Sequence, residues 1–287
     1  MKFIDLFAGI GGFRFGLEGE LYKRGYKCVG SVENEKFARK SYEAIFQEEP
    51  TFGNIREVKP EQLPEAQLYT AGFPCQSFSV IGNRRGTEDK RGNLFFEIIR
   101  LAKVRKPQYL LLENVPGLLS SDQGKDFLFI LNTLQDVGYE FEWQILNSQN
   151  FGVPQHRKRV FLIGHSGGIT RRPIFPIRRP QVSFGGSSDK CFVVLTKKGW
   201  RKKSISTAID HNYHKGFDNH GQRSGVITKE EKIRRLTPRE CFRLQGFPDW
   251  AFERAKEVNS NTQLYQQAGN AVTVNIVKEI GKRLKPQ

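Results

Sequence analysis

Lys2-Phe3-Ile4-Asp5-Leu6-Phe7-Ala8-Gly9-Ile10-Gly11-Gly12 opens the chain, and Phe13, Leu17 and Leu21 follow at helical spacing. A strand, a glycine turn and a helix in that order predict the first unit of a doubly wound α/β sheet. Glycines at the strand's carboxyl end remove the side chains that would hold a nucleotide-like ligand off the backbone. The spacing is not the GxGxxG of dinucleotide binders, so a single nucleoside is the expected ligand and a pyrophosphate is not.

Outward from this stretch, Cys28-Val29-Gly30-Ser31-Val32 reads as a second strand ending in Glu33. A carboxylate there commonly accepts hydrogen bonds from both ribose hydroxyls, although a solvated acid leading a helix fits the position as well. A helix is expected over residues 37–46, and Gly53-Asn54-Ile55 forms the next loop, near the ligand's base. The apolar run Leu68-Tyr69-Thr70-Ala71 then leads into Gly72-Phe73-Pro74-Cys75-Gln76-Ser77-Phe78-Ser79. A strand end fixes a sulfur nucleophile while a loop leaves it open to substrate. Taken alone, Cys75 also reads as an inert small residue in a turn.

Residues 84–92 are polar and glycine-bounded, the composition of a loop that moves over a substrate, and a helix is expected over 94–104. Tyr109-Leu110-Leu111-Leu112 is a buried strand delivering Glu113-Asn114-Val115 to the edge expected for Cys75. A glutamate straight after three leucines is costly to bury unless it is functional. A helix over 127–137 and a strand over 139–146 precede the strand-like run 155–164, in which alternation puts Arg157 and Arg159 on one face. His156 faces the other way and reads as structural. Thr237 caps a short helix with Pro238 at its first position, and Gly246-Phe247-Pro248-Asp249 stops it. Gln267-Ala268-Gly269-Asn270-Ala271-Val272 reads as a glycine-asparagine turn before a last helix, Val274–Leu284.

The chain has 287 residues, 38% hydrophobic and 26% charged, enough for one large α/β domain with or without a small one. It contains no apolar stretch of signal-peptide or membrane-span length, so the cytoplasm is the expected location. Cys28, Cys75, Cys191 and Cys241 lack CxxC spacing, which argues against a zinc site and a disulfide framework, so no metal is expected. The net charge of +16 fits a polyanionic partner. It is concentrated: residues 165–235 carry 16 Lys and Arg against 5 Asp and Glu, which favours nucleic acid. The division expected is a catalytic and cofactor-binding domain over 1–164 and 264–287, with a small domain over 165–263.

The ordered set Asp5 to Gly12, Gly72-Phe73-Pro74-Cys75-Gln76, Glu113-Asn114-Val115, Gln155-His156-Arg157-Lys158-Arg159 and Gln267-Ala268-Gly269-Asn270 resembles the DNA (cytosine-5) methyltransferases of bacteria and phages. The resemblance covers nearly the whole chain except 165–233, where that family carries its variable target-recognition region. It implies S-adenosylmethionine as cofactor, S-adenosylhomocysteine as product, and a cytosine flipped out of double-stranded DNA, with residues 74–92 closing over it. It also implies that Cys75 adds to C6, that Glu113 acts at N3, that Arg159 binds O2 and that Arg157 sits beside the thiol. Phe7 would stack on the adenine, Gly9 and Gly11 would admit the methionine part, Glu33 would hold the ribose, and Asn270 with Val272 would close the pocket. Ile55, Pro74 and Leu94 complete the implied cofactor set, together with Asn54, where many relatives have an aspartate. Gln76, Ser79, Arg91, Arg201, Lys202 and Lys203 are the implied DNA contacts. A monomer is expected, and the sequence leaves open whether a cognate restriction endonuclease is its functional partner.

Three other readings compete, and the most remote is a nicotinamide oxidoreductase, against which the absent GxGxxG and the +16 charge both speak. A tRNA cytosine methyltransferase uses the same thiol chemistry, but such relatives usually carry a proline pair before the cysteine, where this chain has Phe73-Pro74. A decayed, DNA-binding regulatory relative would lack some of Cys75, Glu113, Arg157 and Arg159, all of which are present.

Overall fold

The computed structural model describes residues 1–19, 25–74, 94–167, 173–178, 192–218, 220–228 and 230–284. Cys75, Gln76, Ser79, Arg91 and the whole of 76–92 lie outside the described residues, as does Leu21.

The elements run β1 (Lys2–Asp5), α1 (Gly12–Glu18), β2 (Lys27–Ser31), α2 (Lys36–Phe46), β3 (Leu68–Gly72), α3 (Leu94–Arg105), β4 (Tyr109–Asn114), α4 (Lys125–Asp136), β5 (Tyr139–Asn147), β6 (Gln155–His156) and β7 (Lys158–Ser166). They continue with β8 (Phe192–Thr196), β9 (Gly199–Lys203), β10 (Ser206–Thr207), β11 (His220–Ile227), β12 (Ile233–Arg235), α5 (Pro238–Leu244), α6 (Asp249–Val258), α7 (Asn261–Asn270) and α8 (Val274–Leu284). The main sheet has the order β2-β1-β3-β4-β7-β5. β1 to β4 are mutually parallel, and β7 is antiparallel to both its neighbours. This is the doubly wound sheet that the opening stretch predicts.

Both faces of the sheet are covered, which explains why its central strands are continuously apolar and do not alternate. Ile4, Tyr69, Leu110 and Leu112 pack with Ile98 and Leu101 of α3 and Ile130 and Leu134 of α4. Phe3, Leu68 and Leu111 point to the opposite face, against Leu17 of α1 and Ile276, Val277 and Ile280 of α8. Register then sets the site. Gly72 pairs with Glu113, and Val160 stands opposite Asn114, so the start of β7 lies at the edge where β1, β3 and β4 end.

The run 155–164 is not one strand. It breaks at Arg157 into β6 and β7, because the Arg157 amide turns to donate to Asn147 Oδ1 (3.1 Å) and Gln155 O (3.0 Å). His156, read as structural, is exposed and pairs with Thr207 in a short β6–β10 bridge. Gln267 to Asn270 is not a turn either; it is the last part of α7, which Ser260 caps through the Gln263 amide. The basic stretch contains an antiparallel sheet of order β12-β11-β8-β9. α5 has the expected Thr237 cap, closed reciprocally by Glu240.

A third core joins Ile10, Phe15 and Ile45 to Ile209, Tyr213, Leu236, Phe242, Phe247, Phe252 and Leu264. Residues 238–263 therefore pack on α1 and α2, and a boundary between 263 and 264 falls inside α7. Among the described residues no helix is long and apolar enough to cross a membrane.

Candidate active site

One cavity of about 630 Å³ lies along the carboxyl edge of the main sheet. Phe7 and Gly9 follow β1 into it, Glu33 follows β2, Pro74 follows β3, Glu113 ends β4, Arg157 and Arg159 lead into β7, and Asn270 and Val272 join α7 to α8. The carboxyl ends of the parallel strands β1 to β4 and the amino end of the antiparallel β7 thus gather residues from widely separated stretches of sequence at one place.

Glu113 is the most constrained of these groups. Arg159 Nε lies 3.0 Å from its Oε1, and the Arg159 and Glu113 side chains are 17% and 12% exposed, respectively. Burial pushes the Glu113 carboxyl above its ordinary range, against the opposing pull of Arg159 and then Arg157. Arg157 is buried, and its guanidinium donates to the carbonyls of Ile209 (2.7 Å), Gly269 (2.9 Å) and Ala271 (3.0 Å). Its Nε has no partner among the described residues. Desolvation, reinforced by Arg159, lowers its pKa to about 9.

At the other end of the cavity, Glu33 Oε2 accepts the Gly9 amide at 2.7 Å and Oε1 accepts the Glu35 amide at 2.7 Å. Burial raises its pKa, and those amides oppose the shift. A Cβ added at Gly9 would meet nothing within 4 Å, so the backbone there faces open space. Between the two ends, Asn114 Nδ2 donates to Phe73 O at 3.0 Å while its Oδ1 accepts the Val115 amide at 2.8 Å. This side chain ties the segment entering Pro74-Cys75 to the turn after Glu113.

Four residues of the expected cofactor set lie elsewhere. Gly11 has φ of 82°, and a Cβ there would collide with the ring of Phe46, so this glycine lets α2 pack over the turn. Asn54 caps a short turn, accepting from Arg56 N (3.2 Å) and donating to Glu57 (2.9 Å). Ile55 is buried in the core, and Leu94 packs against that core from the start of α3. Asp210, His211, Gln263 and Gln266 also line the cavity, and no local pattern in the sequence singles them out. Only Gly269 hints at them, since the Asp210–His211 backbone packs where its side chain would be.

A doubly wound sheet with a glycine turn after β1, an acid after β2 and one cavity spanning both fits the class of proteins that bind a nucleoside-containing cofactor at the carboxyl edge of the sheet. The family model for C-5 cytosine-specific DNA methylase matches residues 1–183 and 186–286. The chain belongs to that family, and its reaction is methylation of cytosine at C5 in DNA. Type II methyltransferase M.NgoBI of Neisseria gonorrhoeae is 35% identical over 98% of this chain and 92% of its own length. M.DsaV of Dactylococcopsis salina is 34% identical over 99% and 86%, and M.HhaI of Haemophilus parahaemolyticus is 32% identical over 98% and 93%. The fold is that of the Dnmt2 methyltransferase of S. pombe, with a TM-score of 0.76 at 20% identity over 99% of this chain and 98% of that one.

Proposed function

We propose that the chain transfers the methyl group of S-adenosylmethionine to C5 of a cytosine flipped out of one short duplex DNA sequence, through a covalent adduct with Cys75. The observation that carries this is the desolvated Glu113, clamped by Arg159 in the cavity that Pro74, the residue before Cys75, also lines. The cavity fits the cofactor: Phe7 offers a ring for the adenine, Glu33 offers carboxylate lone pairs for the ribose, and the open backbone at Gly9 admits the methionine part. When bound, the cofactor supplies an electrophilic methyl group.

The protein groups act on the base. The Cys75 thiolate adds to C6 while Glu113 gives its proton to N3, which makes C5 nucleophilic. Arg159 binds O2, and the Nε–H of Arg157, which has no partner among the described residues, favours the charge that develops on the ring. After methyl transfer, loss of the C5 proton and expulsion of Cys75 restore the enzyme. Asn270 and Val272 close the cofactor end, and the basic strand β9, with Arg201, Lys202 and Lys203 exposed, contacts DNA phosphates. The protein works as a cytoplasmic monomer, and the type II names of its relatives support a cognate restriction endonuclease as functional partner.

Tritium from labelled S-adenosylmethionine should enter duplex DNA and not tRNA. Cys75→Ala should abolish transfer while leaving cofactor and DNA binding within a few-fold of wild type. DNA bearing 5-fluorocytosine should form a denaturant-resistant adduct with the active enzyme. Methylation by Cys75→Ala at near-normal rate would remove the proposed nucleophile.

A further inference from the structure

A second cavity, of about 740 Å³, shares Asp210 with the first. Both parts of the chain build it. Gln149, in the turn after β5, and His156, on β6, come from the part that carries the main sheet; Lys202, Lys203, Thr207 and Gln222 come from β9, β10 and β11. We propose that this cavity receives the edge of a base pair flanking the target cytosine, and that Gln149 and Gln222 read it together. Gln149 is then a specificity-determining residue outside the basic recognition segment. The inference rests on duplex DNA being the substrate, as proposed above.

Three observations support it. Among the described residues neither the Gln149 nor the Gln222 carboxamide has a hydrogen-bond partner; only their backbone amides are engaged. A free carboxamide carries a donor and an acceptor in one plane, the arrangement that pairs with a base edge, whereas a lysine brings a point charge suited to phosphate. The seam between the two parts is also cross-linked by hydrogen bonds. Ser206 and Thr207 pair with Gln155 and His156, and the fully buried Gln155 donates from Nε2 to Leu244 O (2.7 Å) and accepts the Ile209 amide at Oε1 (2.9 Å). Thr207 is fixed in turn by Ser224, whose Oγ accepts its amide at 2.9 Å. Gln149 follows Asn147 and Ser148, which are bonded to the Arg157 backbone, and Gln222 lies two residues before Ser224, so both flank this seam; side chains presented from a fixed backbone can discriminate between bases, because they do not adapt to the wrong one. Finally, the shared Asp210 makes the two cavities neighbours, so a strand whose cytosine enters the first presents its adjoining nucleotide to the second.

The test is a duplex library containing the methylated word and every single-base variant, scored by bisulfite sequencing. Gln149→Ala and Gln222→Ala should each relax discrimination at one and the same position, by roughly 10-fold to 100-fold, while the rate on the preferred word stays within a few-fold. Gln149→Glu, which keeps size but replaces the amide donor by an acceptor and adds a negative charge, should alter the base preferred at that position as well as weaken binding to every word. The inference is overturned if Gln149→Ala keeps the wild-type profile, if the two variants relax different positions, or if both lower methylation evenly across all words. A wild-type enzyme that methylates tRNA and no duplex overturns the substrate reading and this inference with it.

Discussion

Glu113 is legible in the sequence because three leucines precede it: burying a carboxylate at the end of such a strand is too costly without a use for it. Glu113→Gln keeps the shape and a donor but has no proton to give up, so kcat should fall by roughly 10²–10⁴ with DNA affinity little changed. A loss confined to KM would refute the acid role. Because burial raises the Glu113 pKa, its acid form persists to higher pH than that of an ordinary carboxyl. Activity that needs the proton is therefore full below the raised value and lost above it, and Glu113→Gln should abolish this descending limb in kcat/KM. Asp5 gives a matching stability prediction. It is fully buried, and desolvation lifts its pKa from 3.8 to about 7. Between those values the native state keeps a proton that the unfolded chain has released, so stability falls as pH rises across that window. Denaturant titrations from pH 4 to 8 should show a shallower decline for Asp5→Asn. Arg157 is only half legible. Alternation places it beside Arg159, but its partners Ile209, Gly269 and Ala271 are 52, 112 and 114 residues away, beyond any local pattern.

Among the elements, the strands and helices of the main sheet follow from local apolar patterns, whereas α7 is concealed. Gly269-Asn270 is a strong turn signal, and a glycine inside a helix costs about 1 kcal/mol relative to alanine. Tertiary packing outweighs that signal, because the Asp210–His211 backbone lies against Gly269 with no room for a Cβ, and α7 carries Gln263, Gln266 and Asn270 into the cavity. Gly269→Ala should satisfy helix propensity and still destabilise the protein, by roughly 1–3 kcal/mol of overpacking. It displaces the segment whose Ile209 carbonyl holds Arg157, so the rate should fall more than cofactor affinity does. Thermal melts together with steady-state kinetics check this, and a stabilised, fully active Gly269→Ala would show that the close approach is dispensable.

Over the whole molecule, the excess of positive charge in 165–235 is legible from composition, but the sheet that displays it is not. Its strands are short, β11 is interrupted by glycine and serine, and β8 finds its partner β11 far along the chain, as in Val193 with Gly225. The fold gives the charge a direction. Among the described residues β9 has only β8 as a partner in its sheet, and it holds Trp200, Arg201, Lys202 and Lys203 exposed in succession. Three successive side chains on a strand cannot all face one groove floor, so as a group they suit a phosphate track better than base edges. Replacing Arg201, Lys202 and Lys203 together by glutamine should weaken binding to every DNA sequence alike. The slope of log K against log salt should become shallower by about 0.9 for each phosphate that is no longer neutralised. Folding should be unaffected, since these side chains are exposed and form no ion pair among the described residues. Binding isotherms at several salt concentrations, on the preferred word and on a scrambled duplex, separate the outcomes. A parallel weakening on both duplexes with a reduced slope assigns β9 to the DNA backbone, and a weakening restricted to the preferred word would instead make it part of the sequence reader.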